Sequence, residues 1–488
     1  MASPSHLYAT ILAGGSGQRF WPLSRELNPK QLLSMFGTES LIAAAVHRIL
    51  PFADGGSSVV VATNERLFDE LRNHLTAQAD PELHAVRYIQ EPLPKNTAPA
   101  IALAAATFVA EDPEAIMVVL PSDHLLEDGE VWADCITAAA HVAADGYLVT
   151  IGIEPTRPET GYGYIRADSA LPQFAMGSAV PYVVAEFIEK PDADRAEEFV
   201  SCGDYYWNAG IFVMRAAQVL EELDRAGGAE AQIADVARWI AAQPPANRNG
   251  AEARERFAAL EPLSIDTAVM ERSDRVAVIP AALKWSDVGS LLALADVAEP
   301  DEAGNVRSGR GVDIDSTNTI IYSGDRLVAT IGVENLIIVD TPDATLVLPK
   351  ERAQDVRQVV DALKAIGAPE VTQPKVSLRP WGSWHSLLEH SNYQIKFIEV
   401  KPGSRLSLQK HHHRSEHWIV VSGTAIVTRD AEKIEVHANE GVFLPVGAVH
   451  RLENIGKVPL ELIEVQVGEY LGEDDIVRLE DDWARESG

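Results

Sequence analysis

A short apolar run, Tyr8–Leu12, breaks into the stretch Leu12-Ala-Gly-Gly-Ser-Gly-Gln-Arg-Phe-Trp-Pro-Leu-Ser-Arg-Glu-Leu-Asn-Pro-Lys-Gln31, which constrains the chain more than any other. A strand that ends in Gly14, Gly15 and Gly17 must turn tightly, and without Cβ atoms its main-chain N–H groups can approach anionic oxygens. Arg19 adds a planar fork of donors and Lys30 a movable point charge. Against the plain reading of a strand-to-helix turn with surface cations, this combination reads as a phosphate grip. It is not a Walker loop, because no Gly-Lys-Ser/Thr follows. It is not a dinucleotide fingerprint either, because Phe20 stands where the third glycine belongs.

From Tyr8 to about Leu292 apolar strands alternate with helices: Ser58–Ala62 before Leu67–Leu75, and Ile116–Leu120 before Trp132–Ala143. This predicts α/β layering on a largely parallel sheet, with ligands beyond the carboxyl ends of the strands. The residues following each run are therefore the candidates. Lys95-Asn96-Thr97-Ala98-Pro99 can start a helix, capped by Asn96 or Thr97. Pro121-Ser122-Asp123-His124 puts a carboxylate at a strand end, where a hard cation could use it. Gly161–Ile165 reads as a flexible loop. Glu189-Lys190 follows Phe187-Ile188, Asn208 and Gly210 follow Trp207, and Asp287 lies in a Gly/Ser turn. Asp266 is a lesser acidic candidate, expected to cap Thr267–Glu271.

Between Gly304 and Pro349 the texture changes to short β runs, Asn318–Ser323, Leu327–Ile331, Asn335–Val339 and Thr345–Leu348, with Asn318-Thr-Ile-Ile echoed by Asn335-Leu-Ile-Ile. A small coiled β structure is expected. In Glu351–Ile366, Val356, Val359, Val360 and Leu363 form a core or interface stripe at helical spacing. A linker follows at Gly367–Gln373. From Val376 onward strands recur about every ten residues with Gly and Pro turns, predicting a sandwich or barrel. Alternation there puts Gln409, His411 and His413 on one face and Lys410 and His412 on the other.

At 488 residues the chain should hold two to four domains. Its 72 acidic and 41 basic side chains, net charge −31, argue against an extended nucleic-acid or anionic-membrane surface. Local cations could still hold small anions. Cys135 and Cys202, in no metal-binding spacing, fit a reducing compartment. With no leader and no apolar run near the ~20 residues of a membrane helix, a soluble cytoplasmic protein is expected.

The stretch Phe20-Trp-Pro-Leu-Ser-Arg25 with Pro29-Lys30-Gln31 resembles the signature of sugar-1-phosphate nucleotidyltransferases, in its mannose-1-phosphate guanylyltransferase form. Gly403-X5-Gln409-X-His411-X4-Glu416-X6-Gly423 and Pro445-Val-Gly-Ala-Val-His450 resemble the two cupin motifs, and Gln409 in the first ligand position is similar to cupin phosphomannose isomerases. The resemblance is therefore to the bifunctional guanylyltransferase/isomerase family. It implies a nucleotidyltransferase domain of Rossmann-like, GT-A-like α/β fold (1–295), a short left-handed β-helix-like module with a terminal helix (296–367) and a C-terminal all-β cupin barrel (376–488), and it leaves a homo-oligomer open.

For the site, the resemblance implies Arg19 on the β/γ-phosphates, Lys30 at the α-phosphoryl group, and Asp123 with Asp287 on Mg²⁺. Leu12, Ala13, Gly14, Gly15, Gly17, Lys95, Asn96, Thr97 and Ser122 would bind the nucleotide, and Gly163, Glu189, Lys190 and Asn208 the sugar phosphate. Gln409, His411, Glu416 and His450 would hold zinc or another divalent metal, with His413 in reserve. GTP, mannose 1-phosphate, GDP-mannose and hexose 6-phosphates are the implied ligands. Lys410, His413 and Arg405 are equal candidates for the isomerase base. The alternatives are a transferase whose cupin serves only binding or assembly, and a non-catalytic sensor of nucleotide sugars.

Overall fold

The computed structural model describes residues 6–480 apart from Ser16 and Asp128, so the outermost ends of the first and last expected domains lie outside the described residues. The chain forms two compact units, Met1–Phe68 with Asp80–Val371, and Asp69–Ala79 with Thr372–Gly488.

The first unit is built on a nine-stranded sheet in the order Arg87–Glu91, Val59–Asn64, Leu7–Leu12, Ile116–Pro121, Tyr205–Arg215, Leu148–Ile153, Val276–Ala281, Tyr182–Glu189, Gly163–Ala170. The first four strands are mutually parallel, as near-continuous apolar runs covered on both faces should be. Tyr205–Arg215 and Tyr182–Glu189 run against the rest, so the sheet is mixed at its far half. The alanine-rich helix Thr97–Glu111 packs into the core with Ala216–Ala226 and Gly228–Ala241; its small side chains allow close approach on all sides. The expected loop Gly161–Ile165 is instead the start of a strand. Gly163 enters the ladder opposite Glu189, and Tyr164 is buried with its hydroxyl accepting the Glu159 N–H at 3.0 Å.

In the β module, Val306–Ser308, Ile320–Ser323 and Leu336–Asp340 stack in parallel, Ile320 opposite Ile337, while Gly311–Ile314 lies parallel to Val328–Ile331. The echoed asparagines mark the coil. Asn318 and Asn335 both adopt positive φ, and Asn318 Nδ2 donates to Asn335 Oδ1 at 2.6 Å. The expected helix begins as a 3-10 segment, Lys350–Asp355, before the α-helix Val356–Ala365, whose buried Val356 and Val360 join Phe20, Trp21, Leu291, Ile320 and Ile337 in one core.

The second unit is a barrel of two sheets. One has the order Val376–Arg379, Gly382–His390, Tyr393–Val400, Leu460–Gly468, Arg414–Ser422, Gly441–Leu444. The other runs Glu432–His437, Thr424–Arg429, His450–Glu453, Leu408–His411, Ile476–Glu480. Trp418, Val420, Leu444, Leu460 and Leu462 fill one part of the interior.

Candidate active sites

The glycine turn is fixed by its carbonyls. Ala13 accepts from Thr63 Oγ1 (3.0 Å) and Gln31 Nε2 (3.2 Å), Gly15 from Gln31 Nε2 (3.1 Å) and Gly14 from Asn64 Nδ2 (3.2 Å), and Leu12 accepts from the buried Ser122 N–H at 3.1 Å. Gly17 sits in the left-handed region at φ 58°, and a Cβ there would lie 2.6 Å from Lys30 Cβ. The turn and the Lys30 backbone are therefore in contact because residue 17 has no side chain.

Gly17, Arg19, Phe20, Lys30, Asp123, His124, Asp287, Val288, Gly289 and Arg357 surround one cavity of about 350 Å³. The two distant aspartates meet there through a two-residue antiparallel ladder, Trp285 with Leu126 and Ser286 with Leu125, which places one just before and the other just after the pairing. The Lys30 ammonium spends its three protons on Asp123 Oδ2 (2.7 Å), the Asp287 carbonyl (3.0 Å) and the Val288 carbonyl (2.9 Å). Burial pushes the Asp123 carboxyl up, but the Lys30 charge and hydrogen bond outweigh it and hold the group below its ordinary value. Asp287 Oδ1 accepts from Tyr162 OH (2.6 Å) and the Gly289 N–H (3.1 Å). No side-chain donor among the described residues reaches Asp123 Oδ1 or Asp287 Oδ2. Two oxygens kept for a hard cation and phosphate suit Mg²⁺.

Sequence reasoning missed three members of this site. Tyr162 orients Asp287 and packs edge-on against Trp207 and Trp285. His124 accepts from Trp285 Nε1 at 3.2 Å. Arg357 comes from the helix beyond the β module, where only its apolar neighbours had drawn attention.

A second polar cluster gathers the residues assigned to the sugar phosphate. A Cβ on Gly163 would lie 2.7 Å from Glu189 Oε2, so this glycine makes room for the carboxylate. Lys190 Nζ donates to Glu189 Oε1 at 2.6 Å. Asn208 accepts from Thr150 Oγ1 (2.9 Å) and the Gly210 N–H (3.1 Å) and donates to Asp266 Oδ1 (2.8 Å). Asp266 is not the expected cap: Ser264 Oγ accepts the Thr267 N–H, while Asp266 opens a π-helical turn and faces this cluster. Burial first, and the Glu189 charge second, push its carboxyl to about 6. In the third segment, Asn96 caps the helix with its side chain accepting from Thr97 N. Lys95 donates to the Ala258 (2.7 Å) and Leu260 (2.6 Å) carbonyls, and Thr97 Oγ1 accepts the Ile265 N–H, so all three are engaged within the protein.

In the barrel, ligand atoms of His411, Glu416 and His450 lie within 4.8 Å of one another, each residue no more than 2 % exposed. His450 Nδ1 faces the Ala448 carbonyl at 3.0 Å, and donating there leaves Nε2 with a lone pair aimed at the trio; His411 Nδ1 has no hydrogen-bond partner, and the Nε2 atoms of His411 and His450 face the Glu416 carboxylate at 3.0 and 3.6 Å. Buried imidazole nitrogens around a buried carboxylate fit a divalent ion. Gln409 stands opposite His450 in the ladder, hence on the same face. His413 departs from the expected alternation. The strand ends at His411, and the buried Asp475 accepts the N–H groups of His412 (3.1 Å) and His413 (3.3 Å) and binds His413 Nδ1 (2.8 Å), turning that ring outward. Lys410 lies on the opposite face of the strand from His411.

The interior wall beside this trio carries polar pairs that spacing did not reveal. Trp418 Nε1 donates to both Glu416 (3.1 Å) and Glu464 (3.0 Å), Gln466 Nε2 donates to the same two carboxylates (3.2 and 2.9 Å), and buried Lys396 is the cross-strand neighbour of Glu464. Burial, reinforced by the Glu416 charge, pushes the Glu464 carboxyl up to about 8.

Residues 8–304 match the family described as Nucleotidyl transferase, 309–363 the MannoseP isomerase/GMP-like beta-helix domain, and 367–481 the Mannose-6-phosphate isomerase C-terminal family. Among curated proteins, Xanthan biosynthesis protein XanB of Xanthomonas campestris pv. campestris (strain B100) is 44 % identical over 481 residues, covering 99 % of this chain and 100 % of that one. Mannose-1-phosphate guanylyltransferase of Klebsiella pneumoniae is 41 % identical over 485 residues, 98 % and 100 % covered. A crystal structure described as mannose-1-phosphate geranyltransferase from Thermus thermophilus aligns with a TM-score of 0.64 at 32 % identity, covering 74 % of this chain and all of that one.

Proposed function

This chain belongs to the nucleotidyl transferase family, in the group that carries a mannose-6-phosphate isomerase domain at its C-terminal end, and on that premise we propose that it makes GDP-mannose and pyrophosphate from GTP and α-D-mannose 1-phosphate. The observation that carries this reading is the meeting of Arg19, Lys30, Asp123 and Asp287 around one cavity beside the glycine turn.

The sugar phosphate brings an already ionised oxygen, so the site needs alignment and charge stabilisation rather than a strong base. Bound Mg²⁺, held by Asp123 and Asp287, would neutralise phosphate charge. Arg19 offers its fork to the β/γ-phosphates, Lys30 fixes Asp123 and stands ready for charge at the α-phosphoryl group, and Glu189, Lys190 and Asn208 hold the sugar phosphate, with Asp266 fixing Asn208. The reaction belongs in the cytoplasm, where GTP is made; no helix among the described residues is long and apolar enough to cross a membrane.

The C-terminal barrel interconverts mannose 6-phosphate and fructose 6-phosphate in this proposal. Zinc or another first-row divalent ion on His411, Glu416 and His450, with Gln409 as fourth ligand, would polarise the sugar oxygens. For proton movement between C1 and C2, the buried pair Lys396–Glu464 on the adjoining wall is better placed than Lys410 or the outward-turned His413.

Pyrophosphate release across GTP, ATP, UTP and dTTP with mannose 1-phosphate or glucose 1-phosphate tests the first activity. GTP with mannose 1-phosphate should have the highest kcat/KM, and equal or better efficiency with dTTP and glucose 1-phosphate would refute it. For the second, metal content and hexose 6-phosphate interconversion are measured on one preparation. Metal without interconversion would make the barrel a binding module.

A further inference from the structure

The phosphate turn is held in place by the far end of its own unit. Phe20 and Trp21 are buried against Val356 and Val360. Trp21 Nε1 donates to the Glu370 carbonyl (3.0 Å), the Glu26 N–H to the Val371 carbonyl (3.0 Å), and Lys364 pairs with Glu26 (2.8 Å). In the same region Arg25, fully buried, pairs with Asp343 at 2.8 Å. Packed in this way, the helix Val356–Ala365 brings Arg357 to the wall of the cavity that Gly17, Arg19, Lys30, Asp123 and Asp287 also line.

The charges in that cavity call for such a group. Lys30 is committed to Asp123 and two carbonyls, and Asp123 and Asp287 bring two negative charges. A nucleoside triphosphate adds several more. Among the described residues Arg19 and Arg357 make no hydrogen bond or ion pair, so theirs are the two guanidinium forks available to anionic oxygens. Neither has a structural partner to lose by turning toward phosphate.

We propose that Arg357 contacts the β/γ-phosphates of the nucleoside triphosphate and the pyrophosphate it becomes, which makes the helix beyond the β module part of the transferase site. This rests on reading the cavity as a nucleotidyl-transfer site. In that reaction a phosphate oxygen of the sugar forms a bond to the α-phosphorus as the bond from that phosphorus to the α–β bridging oxygen breaks. The electron pair leaves on pyrophosphate, and no proton need move. Arg357 would meet the charge that collects on the leaving group, and its fork can take two oxygens where a lysine would take one.

The full-length protein is compared with Arg357→Ala, Arg357→Lys and the control Arg352→Ala, which removes a cation of the same segment that pairs with Asp355 instead. For Arg357→Ala, KM for GTP and the inhibition constant of pyrophosphate should each rise about tenfold, as expected for a charge-assisted contact in a solvent-open cleft, with KM for mannose 1-phosphate and Tm unchanged. Arg357→Lys should recover part of the loss, and Arg352→Ala should match wild type. The proposal is overturned if Arg357→Ala stays within twofold of wild type for both GTP and pyrophosphate, or if Arg352→Ala shifts them equally. Should wild type release no pyrophosphate from GTP and mannose 1-phosphate, the functional reading fails first. Calorimetric titration with pyrophosphate and Mg²⁺ then decides the anion site separately: binding weakened about tenfold by Arg357→Ala upholds it, and equal or absent binding in both proteins refutes it.

Discussion

Gly17→Ala is the smallest change expected to disable the transferase site, and its effect can be worked from two distances. A Cβ at residue 17 would sit 2.6 Å from Lys30 Cβ and 2.9 Å from Lys30 N, against 3.4 Å or more for ordinary contact, so the Lys30 backbone must retreat by about 0.8 Å. The left-handed conformation at φ 58° adds roughly 1–2 kcal/mol for any residue with a Cβ. Lys30 is held by three contacts of 2.7–3.0 Å, and a shift of that size cannot preserve all of them. Misplacement of a charged group by about 1 Å can cost ~10²-fold in rate. The expected outcome is a kcat for pyrophosphate release from GTP and mannose 1-phosphate lowered ~10²-fold, with a total destabilisation of ~2–3 kcal/mol and a Tm drop of a few degrees. Hexose 6-phosphate isomerisation on the same preparation should be unchanged. A variant whose kcat stays within threefold of wild type would show that the contact between Gly17 and Lys30 does not set the catalytic geometry.

Tyr162→Phe removes the 2.6 Å donor to Asp287 and should raise the Mg²⁺ concentration for half-maximal transfer about tenfold while leaving kcat at saturating metal within threefold; an unchanged metal titration would refute the orienting role. His411→Ala should abolish metal retention in the barrel and isomerisation while guanylyl transfer persists, because the latter uses residues of the other unit; full isomerase activity with metal retained would remove the cupin assignment. Glu91 gives the pH test. Burial pushes its carboxyl from 4.5 to about 7, so between those values the folded chain keeps a proton the unfolded chain has lost, and stability falls as pH rises through that window. Glu91→Gln mimics the protonated form and should be ~3 kcal/mol more stable than wild type in urea at pH 8, converging on it near pH 4. A difference independent of pH would rule out this titration as its source.

What the sequence determines here is whatever lies within a few residues along the chain. The glycine turn after Leu12, the helix start at Asn96, the seventeen-residue echo of Asn318 in Asn335, and the His411–Glu416 spacing are local, because a turn, a cap or one strand face depends on neighbouring backbone torsions. The alternation of strands and helices likewise announced an α/β sheet, and the recurring β runs a barrel. Their register was not written there. The ladder of Trp285–Ser286 with Leu125–Leu126 joins Asp123 to Asp287. Neighbouring strands oppose Lys396 to Glu464. A buried Asp475 ends the alternation at His411 and turns His413 away. Arg357 reaches the phosphate cavity because Val356 and Val360 are buried beside Phe20 and Trp21. Each of these depends on which distant apolar surfaces exclude water together, a property of the folded whole that no window of the chain contains.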